Sequence, residues 1–140
     1  MDLTTAMLAD AAVVQAGKLY IHGGGWDSIS VEALPATHPT FALVLILRIE
    51  YAEALQNIPF SAELLDEDNV SLGPRLEAVI NVGHPPGSRP GAPTFMPIQW
   101  TLNMVELPHA GGYQFRVSTG EKQLGSVPFR VIHRLGREIE

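Results

Sequence analysis

The 140-residue chain has no cysteine. Disulfides, thiolate catalysis and Cys-based zinc sites are therefore excluded. Positive charge is scarce: nine Lys and Arg stand against fifteen Asp and Glu, for a net charge of −6. Nucleic-acid affinity rests on cations that neutralise phosphates, so no nucleic-acid partner is expected. Long apolar runs are missing as well. The longest, Phe41 to Leu47, is strand length and falls far below the roughly 18 residues of a membrane-spanning helix. Met1 to Gly17 has no basic residue ahead of its mild apolar stretch and no clear cleavage site. It does not read as a secretory signal, and a cytoplasmic location without a membrane span is expected.

What is present suits one folded domain over residues 1–140. The chain is 46% hydrophobic and 17% charged, the reverse of a disordered composition. A chain of this length can bury about two-thirds of its unfolded surface, so it needs no metal or disulfide to fold. Thirteen glycines and eleven prolines suggest frequent turns between short strands. Charge is unevenly placed. Asp2, Asp10, Asp27 and Glu32 face only Lys18 in residues 1–40, whereas Arg116, Lys122, Arg130, Arg134 and Arg137 gather near the other end. An acidic end of one copy could meet a basic end of another; scattered solvated charge is the simpler reading.

The hydrophobic pattern is mostly of period two. Ala6–Val14, the turn Gln15-Ala16-Gly17 and Lys18–His22 read as a hairpin, with a helix over Thr4–Gln15 as the rival. Three glycines interrupt the second strand, which resumes over Trp26–Val31. Leu34–Pro39 reads as a connection, since proline is excluded from central strands. Thr40–Tyr51 is the clearest strand. Phe41, Leu43, Leu45, Leu47, Ile49 and Tyr51 share one face, and Ala42, Val44 and Ile46 the other, so it should be central. A helical turn is expected over Ala52–Asn57. Pro59–Leu65 and Val70–Val82 form a hairpin around an acidic tip, Asp66-Glu67-Asp68-Asn69. Gly83–Pro97 crosses between sheets. Ile98–Leu107 alternates with Ile98, Trp100, Leu102 and Met104 on one face. Tyr113–Val117 and Leu124–Ile132 complete the set, with Arg116 and Arg130 on the wet face. About eight strands without long intervening helices predict a mostly β fold: an antiparallel two-sheet sandwich, immunoglobulin-like.

The most enzyme-like string is His22-Gly23-Gly24-Gly25-Trp26. It resembles the oxyanion-hole motif of α/β-hydrolase lipases and esterases, where glycine lets backbone N–H groups face a developing oxyanion. No Gly-x-Ser-x-Gly accompanies it. The nearest string, Asn69-Val70-Ser71-Leu72-Gly73, lacks the first glycine. Only 21 residues precede His22, too few for the parallel sheet such an enzyme needs. Glycine inside a strand more simply marks a bulge, a bend or a close backbone approach, with Trp26 packing behind it. His22, His38, His84, His109 and His133 are widely spaced and predict no metal site. Asp66, Glu67 and Asp68 lack the spacing of a calcium loop. No complete catalytic set and no cofactor motif is read.

Trp100, Tyr113 and Phe115 could form a sugar- or base-stacking platform, and the Gly23–Trp26 bend a further binding surface. Alternation favours core positions for Trp100 and Phe115. Tyr113 could instead pin a corner by its hydroxyl, as in immunoglobulin-like sandwiches. Two segments resemble the sequences of an uncharacterised family of short bacterial proteins. One is Leu8-Ala9-Asp10-Ala11-Ala12 with Gly17-Lys18-Leu19-Tyr20-Ile21-His22-Gly23-Gly24-Gly25-Trp26. The other is Pro108-x-x-Gly-Gly112-Tyr113-x-Phe115-x-Val117 with Val127-Pro128-Phe129-x-Val131. The resemblance covers nearly the whole chain and carries no activity. The expected function is a non-enzymatic β protein acting through self-assembly into a homo-oligomer or through a protein partner. A small-molecule or carbohydrate binding module using His22–Trp26, Trp100 or Tyr113 is the alternative, and a small esterase using His22–Gly25 the third reading.

Overall fold

The computed structural model describes residues 1–134; Arg137 and the rest of 135–140 lie outside the described residues. Nine strands form two packed sheets: β1 (Asp2–Gln15), β2 (Lys18–Trp26), β3 (Ser28–Val31), β4 (Ala36–Ile49), β5 (Ile58–Asp66), β6 (Ser71–Ile80), β7 (Thr94–Leu107), β8 (Gly111–Thr119) and β9 (Lys122–His133). The first sheet runs β2-β1-β4-β7 and the second β3-β9-β8-β5-β6. All pairs are antiparallel except β3 with β9. The expectation of a wholly antiparallel arrangement of about eight strands is corrected at this point. The chain leaves the first sheet at Asp27, and β3 continues in the second sheet beside β9, where the Asp27 carbonyl accepts from Arg130 N at 2.9 Å.

The first hairpin forms as a hairpin and not as a helix. Gln15 pairs with Lys18, and Ala16 and Gly17 take φ of 52° and 73°. A two-residue loop with both φ positive matches the twist of the strands it joins. β4 is central, as its two-sided pattern requires. Phe41, Leu43, Leu45, Leu47 and Ile49 face the second sheet, where Phe115, Val117, Phe129 and Val131 close the core. Ala42 and Val44 point the other way and are also buried, with Ala9, Met7 and Leu19 packed around them. Tyr51 leaves this pattern. It starts a single 3₁₀ turn, Tyr51–Glu53, and its ring stacks on His84 at 4.0 Å.

Two proline-containing stretches expected as loops are strand. Pro39 lies in β4, and Thr94 to Pro97 begin β7. β7 is an edge strand, where a missing N–H is tolerated. Pro39 sits beyond Ala42, where β1 has stopped pairing with β4. Opposite Pro39 the ladder skips Met104, which takes φ of 53°. The register is the same on both sides of this break: Thr40 pairs with Asn103 and His38 with Val105. Both strands therefore carry an extra residue at the same level, and the buried face shifts in each. Beyond Leu102 it passes to Val105 and Leu107, leaving Met104 66% exposed. The expected alternation through Met104 fails for this reason. In β4 the same shift turns His38 toward Phe41, 5.5 Å away between ring centroids. No helix of the described residues is long and apolar enough to cross a membrane.

Candidate functional site

The glycine run does not stop β2; it shapes it. Leu8 faces Trp26 and Ala9 faces Gly24, so Gly25 is an extra residue on β2. It adopts φ of 90°, the conformation a bulge requires and that side chains disfavour. A Cβ on Gly24 would lie 2.8 Å from Ile21 Cγ2 and 3.1 Å from the Met7 sulfur. A Cβ on Gly23 would collide with the Asp10 carboxylate. The three glycines thus serve close packing at Gly24, the bulge at Gly25 and the seating of Asp10 across β2 at Gly23. The parallel sheet and helices of an α/β-hydrolase, which the oxyanion-type reading needs, are absent among the described residues.

The bulge delivers Trp26 to the seam between the two sheets. Its ring meets Phe41 edge-on at 5.8 Å and lies 6.5 Å from His38. Beyond Ala9 the β1–β2 ribbon parts from β4. A cleft of about 250 Å³ opens there, lined by Asp10, Trp26, Ser28, Ile29, Ser30 and His38. Ile29 is buried at its base, whereas Ser28 and Ser30 are exposed on β3. Burial holds the His38 imidazole below its usual pKa, with the Asp10 charge opposing that shift. The indole Nε1 of Trp26 is buried and has no hydrogen-bond partner.

Asp, His and Ser are the residue types of a nucleophilic triad. Here Asp10 and His38 interact only through space, and Ser30 Oγ accepts from Arg134 Nε at 2.9 Å. The hydrogen-bonded chain from nucleophile to base to orienting carboxylate is not assembled. Among the described residues no group of three or more His, Asp and Glu is placed to hold a metal ion.

The other expected site residues are dispersed. His22 lies exposed on β2 opposite Ala11, outside the cleft. Trp100 packs edge-on against Phe115 at 5.8 Å and borders a separate groove with Leu72, Pro74 and Met104 at the β6–β7 seam. Tyr113 is only 3% exposed. Its hydroxyl donates to His109 O at 2.6 Å and accepts from His109 N at 3.1 Å, and its ring stacks on Phe129 at 5.4 Å. Of the two roles foreseen for it, it fills that of corner post. Phe115 is fully buried, so an exposed platform of Trp100, Tyr113 and Phe115 does not form.

The acidic tip is also more structured than solvated charge. Asp66 is buried, and its Oδ1 accepts from Asp68 N at 2.8 Å and Val70 N at 3.0 Å. Its Oδ2 lies 3.5 Å from His109 Nε2. The turn N–H groups, led by that of Val70, hold the Asp66 carboxyl below its usual range. The Ala110 carbonyl at 3.0 Å from Nδ1, followed by Asp66 and Glu67, raises the His109 pKa. Glu67 Oε1 accepts from Gly112 N at 2.8 Å and ties the tip to the β7–β8 turn. Among the expected wet-face arginines, Arg130 is exposed, but Arg116 is half-buried and its Nε has no partner.

Sequence reasoning missed Asp10, Ser28, Ser30 and His38 as one group. Asp10 gave a signal, as the lone charge in an otherwise apolar Ala6–Val14 run. His38 gave none, because Pro39 marked its neighbourhood as a loop.

The model of a family of unknown function, DUF6941, matches residues 4–132, so the chain belongs to that family. No curated protein matches it. Among solved structures, it is similar to an alkylpurine DNA glycosylase, AlkC of Pseudomonas fluorescens, bound to DNA containing an abasic site analog. The identity is 13% and the TM-score 0.46, and the match spans 75% of this chain and 27% of that one.

Proposed function

For this member of a family without an assigned function, we propose a non-enzymatic interaction domain that self-associates through the β1–β2 ribbon. One observation carries the reading. Val13, Val14, Tyr20 and Ile21, all large and apolar, lie exposed on the far half of that hairpin, Val13 with Tyr20 on one face and Val14 and Ile21 on the other. Val13 faces Tyr20 across the ribbon, and Ala12 faces Ile21. Such a cluster on an edge strand suits a partner, because an isolated apolar ribbon is poorly stable in water and its outer backbone groups are free to pair. β2 is the edge of its sheet, and within it Lys18 is the only charged side chain to oppose a second strand. The occupant that fits is β2 of another copy, which would join two four-stranded sheets. An immunoglobulin-like kinship belongs to the same reading, supported by the Tyr113 corner.

Native mass spectrometry and light scattering across micromolar concentrations test this. A dimer or larger assembly is expected, with dissociation on Tyr20→Lys combined with Ile21→Lys. Both side chains lie outside the core, so the variant should keep its thermal stability. A strict monomer throughout, or an assembly indifferent to the double variant, rejects the reading.

A further inference from the structure

We propose that the cleft between β1, β3 and β4 binds a short extended peptide, which adds as a strand to the free edge of β3. The argument comes from the main chain of β3 and does not depend on the ribbon.

β3 pairs with β9 through one of its two edges. The Asp27 carbonyl, just ahead of β3, accepts from Arg130 N at 2.9 Å, and the Val31 carbonyl accepts from Arg134 N at 2.8 Å. The main-chain groups of successive strand residues point to opposite edges. Ile29 and Val31 therefore turn their N–H and C=O toward β9, and Ser28 and Ser30 turn theirs away. Among the described residues no strand pairs with that outer edge. Ser28 and Ser30 both line the cleft. The cleft is thus bordered by two N–H donors and two C=O acceptors, set along an extended strand.

An extended peptide is the complement of such an edge. Each of its residues brings one donor and one acceptor, and alternate residues meet Ser28 and Ser30 in either strand direction. The side chains nearby select no charge. Asp10 brings a negative one, and Arg134, whose Nε lies 2.9 Å from Ser30 Oγ, a positive one. The serine hydroxyls both donate and accept. A neutral main chain suits this mixture better than an ion of either sign. The peptide residue between the two bonded ones shares a face with Ile29, which is buried, so a small apolar side chain fits there. Trp26 also lines the cleft, and its buried Nε1 lacks an acceptor of the kind a peptide carbonyl supplies. A volume of about 250 Å³ lies below the roughly 300–1,000 Å³ of sites for drug-sized ligands, and β3 has only four residues, so the insert is short. In a second copy, β3 stands beside its own wall of Trp26 and His38, which keeps two such edges apart. A free peptide strand meets no such obstacle.

The probe is the capped pentapeptide acetyl-Ser-Thr-Val-Thr-Ser-amide, with valine as the central apolar residue. Its control carries N-methyl groups on both threonines, the residues that would bond the edge. The readout is the backbone amide resonances of Ser28 and Ser30 by NMR. Saturable shifts of both are expected with the parent peptide at millimolar concentration. The N-methylated peptide should bind at least about tenfold more weakly, in line with the loss of two hydrogen bonds. Ser30→Pro removes an N–H that β9 does not use and covers the edge with a ring, so it should abolish binding in a folded protein. Ser28→Ala combined with Ser30→Ala keeps the main chain and should bind as the parent protein does. Thermal unfolding establishes that each variant is folded. No saturable shift with the parent peptide, equal binding of the N-methylated one, full binding in Ser30→Pro, or loss of binding in the double alanine variant overturns the proposal. Shifts of the two amides that grow with protein concentration alone assign the edge to a second copy and overturn it too.

Discussion

Two Asp–His neighbourhoods in this small domain have opposite designs. At the Tyr113 corner, Asp66 and His109 are 3.5 Å apart, and their remaining polar atoms meet turn N–H groups or a carbonyl. Each is shifted toward its charged form. At the cleft, Asp10 and His38 interact only through space, and burial holds His38 toward its neutral form. The difference teaches how one residue pair can serve structure or remain available. A pair whose hydrogen-bonding capacity is met by backbone fixes a turn. A pair held apart, beside a buried indole N–H without a partner, leaves hydrogen-bonding capacity unfilled.

The largest test of this contrast is Tyr113→Ala. Removing a buried ring stacked on Phe129 should cost about 3 kcal/mol or more in thermal or denaturant unfolding. A loss near zero would mean that the corner is not structural. Gly23→Val comes next. A β-branched residue at φ of 62°, against the Asp10 carboxylate, should cost upwards of ~1 kcal/mol. Tyr113→Phe keeps the ring and loses only the hydroxyl bonds to His109, so about 1 kcal/mol is expected.

Smaller still is the effect of pH, where the two histidines have opposite signs. His109 has a raised pKa, so its contribution is complete below the unfolded value and fades as pH rises through the folded one. Asp66, with a lowered pKa, loses its contribution as pH falls through its folded value. The corner pair therefore stabilises between those two limits. His38, with a lowered pKa, does the reverse of His109. The unfolded chain binds more protons between the folded and unfolded values, so stability rises with pH across that window. Imidazole titration by NMR should place His38 below, and His109 above, the ordinary value of about 6.5. The opposite order breaks the comparison. The least effect is expected from Asp10→Asn, within about 0.5 kcal/mol, because an exposed carboxylate outside the corner adds little to folding. A loss matching that of Asp66→Asn would make the two neighbourhoods equivalent and remove the distinction.

Much of the fold was legible. The two-sided apolar run of Phe41 to Leu47 marks a central strand because only burial on both faces makes such a run soluble. Gly17 marks the hairpin turn because so few residues accept its backbone angles. Tyr113 was readable as a corner candidate from its place near the start of a late strand. The site was less legible. Trp26 and the glycine run pointed to it, but they are half of one wall. Ser28 and Ser30 belong to the other sheet, and His38 reaches the cleft only through the shared break at Pro39 and Met104. That break depends on the pairing of two strands distant in sequence, which no local periodicity encodes.

The lack of cysteine, the excess of acidic over basic residues and the period-two patterning by themselves determined a mostly β chain of negative net charge without thiol chemistry. Local composition suffices for those conclusions, because each depends on residue type and spacing alone. The tertiary structure decided what the glycines are for. In sequence, His22 to Trp26 is an oxyanion-like string. In space, His22 lies outside, Gly25 supplies a bulge, Gly23 seats a carboxylate, and Trp26 comes near His38 of the same sheet beside the seam. Those roles depend on which strands pair and where the chain changes sheet, and such long-range contacts exist only once the chain has folded.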